Sequence, residues 1–192
     1  MTSILEVEQL DTLSSNASST LTIGGTNTTT IAFGPNVTTT PSSLANTPAF
    51  EATRTTDQSI TDATQTKVEF NVENFDTNNY YDNTTNYRFT PLVAGKYYVY
   101  ASIQSEAFGE SDLRRTQINI HKNGTKYREA QWLQNTYRAR QQTPYVAGII
   151  DMNGTTDYLE IYAYIDDNSG NPVINGSSVQ QNYFGAYKVI GA

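Results

Sequence analysis

From residue 48 onward the apolar positions recur at every second residue in short runs, and turn signals separate the runs. In DYLEIYAYID, residues 157–166, Leu159, Ile161, Ala163 and Ile165 fall on one side of a strand. Tyr158, Glu160, Tyr162 and Tyr164 fall on the other. GKYYVYASI repeats the arrangement: Tyr97, Val99, Ala101 and Ile103 share one face, and Tyr98, Tyr100 and Ser102 the other. In NYFGAYKVI, Phe184, Ala186 and Ile190 alternate with Tyr183, Tyr187 and Val189. Further strands are predicted at AFEATRT, TKVEFNV, NYRFT, RTQINIHKN and PYVAGIIDM, with turns at VAG, KNGT, MNGTTD and DDNSGNP. Asn123-Gly124 and Asn153-Gly154 read as hairpin pairs, because both residue types tolerate positive φ. No amphipathic helix longer than about two turns is evident. The pattern predicts an all-β chain, a β-sandwich or jelly roll.

A sandwich core takes one face of each strand, so the other face is wet or covered by a partner. Exposed tyrosine rings in a row form an apolar patch unusual for a monomer. Tyrosine suits a subunit interface, because its ring is large and its hydroxyl finds a partner or water. The alternative is that the tyrosines line the core and the aliphatic residues meet a partner. Either way both faces are expected to be covered, which predicts an oligomer joined through one sheet. The expected contact residues are Tyr98, Tyr100, Tyr158, Tyr162, Tyr164, Tyr183 and Tyr187.

Residues 1–47 differ from the rest. They hold no Lys or Arg, one aromatic residue, Phe33, and many Thr, Ser and Asn residues. Such a stretch buries too little apolar area to fold alone. It still carries short strand-like pieces: Ile4, Leu5 and Val7, then Leu21 and Ile23, then Ile31 and Phe33. We read it as an extended, β-rich or irregular anchoring arm or stem that gains order by adding strands to something else. A disordered tail is the other reading. TTTPSSLANTP closes it as a linker stiffened by Pro41 and Pro48. The expected division is an arm at 1–47 and a head at 48–192.

Taken in order, the strands from PAFEATRT to FGAYKVI resemble the complement C-one-q globular head, the trimeric jelly roll shared with the tumour necrosis factor superfamily. The most specific stretch is VEFNVENFDTNNYYDNTTNYRFTPLVAGKYYVYASI: a phenylalanine-bearing strand, an Asn/Asp-rich loop, a short strand, a Pro-x-x-x-Gly turn and an aromatic strand. INIHKNGTKYR resembles the next hairpin, and NYFGAYKVI the closing strand with its Phe-Gly pair. The resemblance implies a tight parallel homotrimer with the last strand near its centre. It also keeps calcium as an option at Asp166, Asp167 and Asn168, because some heads of this family carry it. A second option of that kind is the FDTNNYYD loop. The opening MTSILEVEQLDTL, followed by TIGG and IAFG pieces, is similar to the start of marine-phage virion structural proteins. There is no Gly-x-y repeat, so a collagen stem is excluded.

Composition narrows the chemistry. The chain of 192 residues has no cysteine, which excludes disulfides, zinc–thiolate sites and cysteine nucleophiles. The N-terminus has no basic region and no long apolar run, so synthesis in a cytosol without export or membrane insertion is expected. The net charge of −7 argues against nucleic-acid binding. Basic residues nevertheless cluster at Arg114, Arg115, Lys126, Arg128, Arg138 and Arg140, either as solvated faces and salt bridges or as a patch for an anionic partner. His121 is the single histidine, without a nucleophile motif beside it, so no hydrolytic triad is expected. Glu106, Glu110 and Asp112, or Asp166 and Asp167, are the carboxylate pairs a glycosidase would need. The seven Asn-x-Ser/Thr sequons follow from the abundance of Asn and Thr, and are not read as glycosylated.

The expected function is a non-enzymatic phage virion protein, a tail fiber, spike or capsid decoration, found in the virion and made in the host cytoplasm. The arm would hold other virion proteins of capsid or tail. The trimeric head would adhere to a host surface glycan or receptor, or stabilise the particle, without an obligatory cofactor. Loops 106–112, 134–143 and 166–178 are the expected receptor contacts, since loops vary on a rigid scaffold. The alternatives are a free bacterial or animal lectin-like recognition protein and, more remotely, a polysaccharide depolymerase.

Overall fold

The computed structural model describes residues 46–107, 113–134, 136, 139–168, 170–177 and 179–191. Fifteen strands run through them, with one turn of 3-10 helix at Val179–Gln181. The first six are β1 Ala49–Thr53, β2 Gln58–Ser59, β3 Thr66–Lys67, β4 Val72–Asp76, β5 Tyr81–Asp82 and β6 Arg88–Phe89. Next come β7 Gly95–Ser102, β8 Ser105–Glu106, β9 Leu113–Lys122, β10 Thr125–Leu133 and β11 Gln141–Gln142. The last are β12 Tyr145–Met152, β13 Leu159–Asp167, β14 Val173–Ile174 and β15 Tyr183–Lys188.

Two antiparallel sheets enclose one core. The five-stranded sheet runs β12-β7-β15-β1-β4. The six-stranded sheet runs β10-β9-β13-β6-β5, with β3 also on β13. A third, small sheet, β11-β8-β14-β2, extends one end. The aliphatic faces read from the sequence are the core faces: Val99, Ala101, Leu159, Ile161, Ala163 and Ile165 are fully buried. Phe50 stacks on Tyr81 at 4.7 Å and on Phe89 at 4.4 Å, and Phe184 meets Phe50 edge-on at 4.9 Å. Tyr97 and Tyr81 join this core because each hydroxyl donates to a backbone carbonyl, Val93 at 2.8 Å and Phe70 at 3.0 Å.

Local turn chemistry differs between the two Asn-Gly pairs. Asn123 and Gly124 both have positive φ, 53° and 75°, and close the β9–β10 hairpin. Asn153-Gly154 does not close a hairpin, because β12 and β13 lie in different sheets. There Asn153 Oδ1 accepts the N–H groups of Thr155, Thr156 and Asp157, making a compact crossover. Gly154, at φ 71°, passes so close to Ala94 that a Cβ would stand 2.3 Å from its nitrogen. The run TKVEFNV is likewise not one strand. It leaves the six-stranded sheet after Lys67, buries Val68 and Phe70, and joins the five-stranded sheet as β4 from Val72. Ile190, expected on the core face, lies beyond β15 and is exposed.

The stacked phenylalanines make a direct stability test. Phe50→Ala removes the ring that touches three others and should cost about 3–5 kcal/mol. Urea unfolding followed by fluorescence should show a lower midpoint with an unchanged slope.

Candidate functional site: the tyrosine face and the loop end

The outer face of the five-stranded sheet follows from its register. Tyr98 pairs with Ile149 on one side and Tyr187 on the other, and Tyr100 pairs with Ala147 and Gly185. Glu51 pairs with Gly185 and Phe75, so β1 and β4 carry the same face outward. Paired residues share a side, which collects Tyr98, Tyr100, Tyr145, Ile149, Tyr183 and Tyr187 on one surface. Several are open to solvent in the single chain: Tyr145 is 47% exposed, Ile149 52%, Phe75 48% and Tyr187 37%.

The rings are ordered by their own contacts. Tyr98 lies 5.5 Å from Tyr187 and 6.0 Å from Tyr100 between centroids, and Tyr100 lies 6.1 Å from Tyr183. The Tyr98 and Tyr145 hydroxyls bond at 3.0 Å, and Tyr100 donates to Glu51 Oε2 at 2.8 Å. Desolvation and its neighbouring hydroxyl push Tyr145 up to about 12. Burial, then the Glu51 carboxylate, raises Tyr100 further. These phenols therefore stay neutral across the physiological range. Gly185 opens the slot for the Tyr100 ring, since a Cβ there would meet Tyr100 Cζ at 2.4 Å.

The long axis of the sandwich has two distinct ends. Chain entry and exit share one end: Lys188 N–H donates to Pro48 O at 3.1 Å, and Val189 N–H to Lys96 O at 2.8 Å. At the other end β7 runs into β8 while β12 and β15 begin. There the small sheet registers Glu106 against Gln141 and Val173.

Comparison with solved structures places this architecture. Eiger, a tumour necrosis factor from S. frugiperda, superposes with a TM-score of 0.56 at 10% identity, covering 75% of this chain and 93% of that one. Murine APRIL superposes at 0.54 and 11% identity, covering 73% and 98%. This is the tumour necrosis factor-like jelly-roll fold. The zebrafish complement 1qA globular domain also aligns, at 0.48 and 15% identity, over 74% of this chain and 96% of that one. No family model and no curated protein matches the chain by sequence.

The jelly roll separates residues that the strand pattern grouped. Tyr98, Tyr100, Tyr183 and Tyr187 lie on the five-stranded sheet, whereas Tyr158, Tyr162 and Tyr164 belong to the opposite layer. One sheet therefore does not carry all seven, because periodicity gives the face of a strand and not its sheet. The second trio is occupied locally. Arg88 sits over Tyr158 at 4.7 Å, His121 stacks on Tyr162 at 4.1 Å, and Arg115 lies over Tyr164 at 5.3 Å. Periodicity also passed over Tyr145, Ile149, Phe75 and Glu51, although Tyr145, Ala147 and Ile149 do alternate in PYVAGIIDM.

The basic cluster is dispersed by its partners. Arg114 pairs with Asp166, Lys126 with Glu129 at 2.6 Å, and Arg140 with Glu106 at 2.8 Å. Arg128 folds over Gly148, where a Cβ would stand 2.7 Å from its Nε. Arg138 and the arm residues Ile4, Leu5, Val7, Leu21, Ile23, Ile31 and Phe33 lie outside the described residues, as do Glu110 and Asp112. In the DDNSGNP turn, Asp166 is engaged by Arg114, Asp167 is buried and Asn168 is exposed. In the FDTNNYYD loop Asp76 accepts the Asn78 and Tyr81 amides, and Asp82 those of Thr84, Thr85 and Asn86. Among the described residues no three His, Cys, Asp or Glu side chains group as metal ligands.

Two experiments follow. Gly185→Ala should push the Tyr100 ring aside, break its bond to Glu51 and destabilise by about 1–3 kcal/mol, read as a lower thermal midpoint. His121, whose pKa burial lowers, is held neutral against Tyr162 while Glu160 and Lys126 face it across the sheet. Below about pH 6.5 the unfolded chain takes up the proton first, so stability should fall as pH drops from 7 towards 5. His121→Gln should flatten that slope in denaturation measured at each pH.

Proposed function

We propose that residues 48–192 are a homotrimeric, non-enzymatic recognition head whose protomers meet through the tyrosine face. The observation that carries this reading is the contiguous aromatic and aliphatic surface on the outside of the five-stranded sheet. Tyr145, Ile149, Phe75 and Tyr187 remain open there in the single chain. An apolar face of that kind is stable in water when a second copy covers it. Tyr100 donates to Glu51, and one of the Tyr98 and Tyr145 hydroxyls donates to the other, which leaves one O–H of that pair for an acceptor on the covering copy.

The polarity of the head supports a role at a surface. The chain enters at one end, and the loops around β8, β11 and β14 project at the other. In our reading the arm at 1–47 fixes the protein to a phage particle, as fiber, spike or capsid decoration, and the head points outward to a host surface. The similarity of MTSILEVEQLDTL and its Thr/Gly-rich continuation to phage virion proteins supports that placement. A hydrolytic role is disfavoured by Glu106, the described member of its carboxylate set. Burial raises its pKa, but hydrogen bonds from Asn175, Gln141 and Arg140 lower it on balance and favour the ionised form, so it is a poor general acid.

Light scattering of the purified chain tests the assembly. A trimer reads about 64 kDa, three times the 21.3 kDa chain. Ile149→Glu with Tyr187→Glu should give a folded monomer. A wild-type mass of one chain would overturn the trimer. Peptide mapping of gradient-purified virus particles tests the location: the chain in the particle band supports it, and the chain only in the soluble fraction overturns it.

A further inference from the structure

A cavity of about 280 Å³ opens at the loop end of the head, opposite chain entry. Loops 106–112, 134–143 and 166–178 each place a residue in its wall: Glu106, Arg140 and Asn175. Asp57 and Ser177 complete the polar lining, and Ala107 and Val173 supply a small apolar portion. We propose that this cavity binds one neutral pyranose ring, the terminal sugar of a surface glycan. The proposal rests on the reading of the chain as a recognition head, and it names the ligand class and the site.

The polar groups are arrayed as a sugar requires. Glu106 Oε1 accepts both Arg140 Nε at 3.1 Å and Nη2 at 2.8 Å, and Asn175 Nδ2 donates to Oε2. This fixes a planar carboxylate, guanidinium and amide side by side, the fork that meets a pair of vicinal hydroxyls. Bonding capacity remains. Arg140 Nη1 and Asp57 Oδ2 have no partner among the described residues, and the Arg140 side chain is 62% exposed. Two carboxylates against one guanidinium leave the wall net negative, which selects against sialic acids and phosphates. The volume lies just under the usual range of about 300–1,000 Å³ for drug-sized ligands, so it fits one ring and not a chain of them.

The wall is held before any ligand arrives. Gly176 N–H donates to Asp57 Oδ1 at 2.8 Å, and a Cβ at Gly176 would stand 2.0 Å from the carbonyl carbon of Thr56. Backbone therefore packs directly on backbone there. Asn175 N–H donates to Gln104 O at 2.9 Å, and its carbonyl accepts Asn182 Nδ2 at 2.6 Å. Ser177 Oγ donates to Asn175 Oδ1 at 2.5 Å, which sets the amide orientation. A site fixed by its surroundings loses little entropy on binding. One ring in an open cavity binds in the millimolar range, and three copies on a trimer raise that by avidity.

Saturation-transfer NMR of the full chain with D-glucose, D-galactose, D-mannose and N-acetylneuraminic acid tests this. At least one neutral hexose should receive transfer, and the acidic sugar should not. Arg140→Gln, a surface change that leaves the core intact, should weaken binding about tenfold or more. Ser177→Ala should weaken it less, with an unchanged thermal midpoint. No transfer to any neutral hexose, preference for the acidic sugar, or equal binding by Arg140→Gln would overturn the proposal. Light scattering on the same samples separates the two readings. A trimer that binds no hexose ends the cavity proposal and leaves the head. A monomer that binds hexose ends the trimer and leaves the cavity.

Discussion

A β-strand presents two faces, and a sandwich has one interior, so each strand must commit one face to the core. In this chain the commitment is decided by hydroxyl groups. The aliphatic face of β7, β13 and β15 carries few polar side-chain atoms and packs without cost. A tyrosine inside needs an acceptor, and in the core of the described residues Tyr97 and Tyr81 have backbone ones, the carbonyls of Val93 and Phe70. The remaining strand tyrosines face outward. From that single constraint follow the stacked phenylalanine core, the register of the five-stranded sheet and the aromatic surface that the molecule presents.

The two outer faces then diverge, although both are rich in tyrosine. On the six-stranded sheet the cross-strand neighbours are Arg115, Gln117, Asn119 and His121, of which Arg115 covers the Tyr164 ring and His121 stacks on Tyr162. Gln117, Asn119 and Glu160 are buried in that polar mat, with Lys67 closing on Glu160 at 2.5 Å. That face is polar without being fully paired: both His121 ring nitrogens and Asn119 Oδ1 are buried without a hydrogen-bond partner. On the five-stranded sheet the neighbours are Ala147, Ile149 and Gly185, which leave the rings apolar and uncovered. The same residue type reads as polar surface on one side and as interface on the other.

The ends of the sandwich diverge in the same way. At the entry end the chain termini of the head are tied down by backbone hydrogen bonds. At the loop end a two-residue strand, Ser105–Glu106, sits between β11 and β14 and gathers side chains from segments distant in sequence. Glu106 meets Arg140 and Asn175 there because the small sheet aligns three loops, and the close approach of Gly176 to Thr56 fixes the wall. The open apolar face and the loop-end cavity are thus held on one scaffold.

Much of this was legible in the chain itself. Beyond the resemblance that named the jelly roll, alternation separated the two faces of each strand and Asn123-Gly124 named its hairpin. These are local properties, set by the period of a strand and by the φ that an Asn-Gly pair tolerates. Legibility failed where partners are distant. β10 is almost wholly exposed, so it shows little apolar alternation, and its strand character comes from pairing with β9. The tyrosines of β13 could not be separated from those of β7 and β15, because sheet membership depends on crossovers such as Asn153–Asp157. The sequence by itself determined which residues share a face of a strand, since the two-residue period of a strand is a local property. Only the tertiary structure decided which outer face stays apolar and which loops meet at the cavity, since both depend on neighbours brought together from far along the chain.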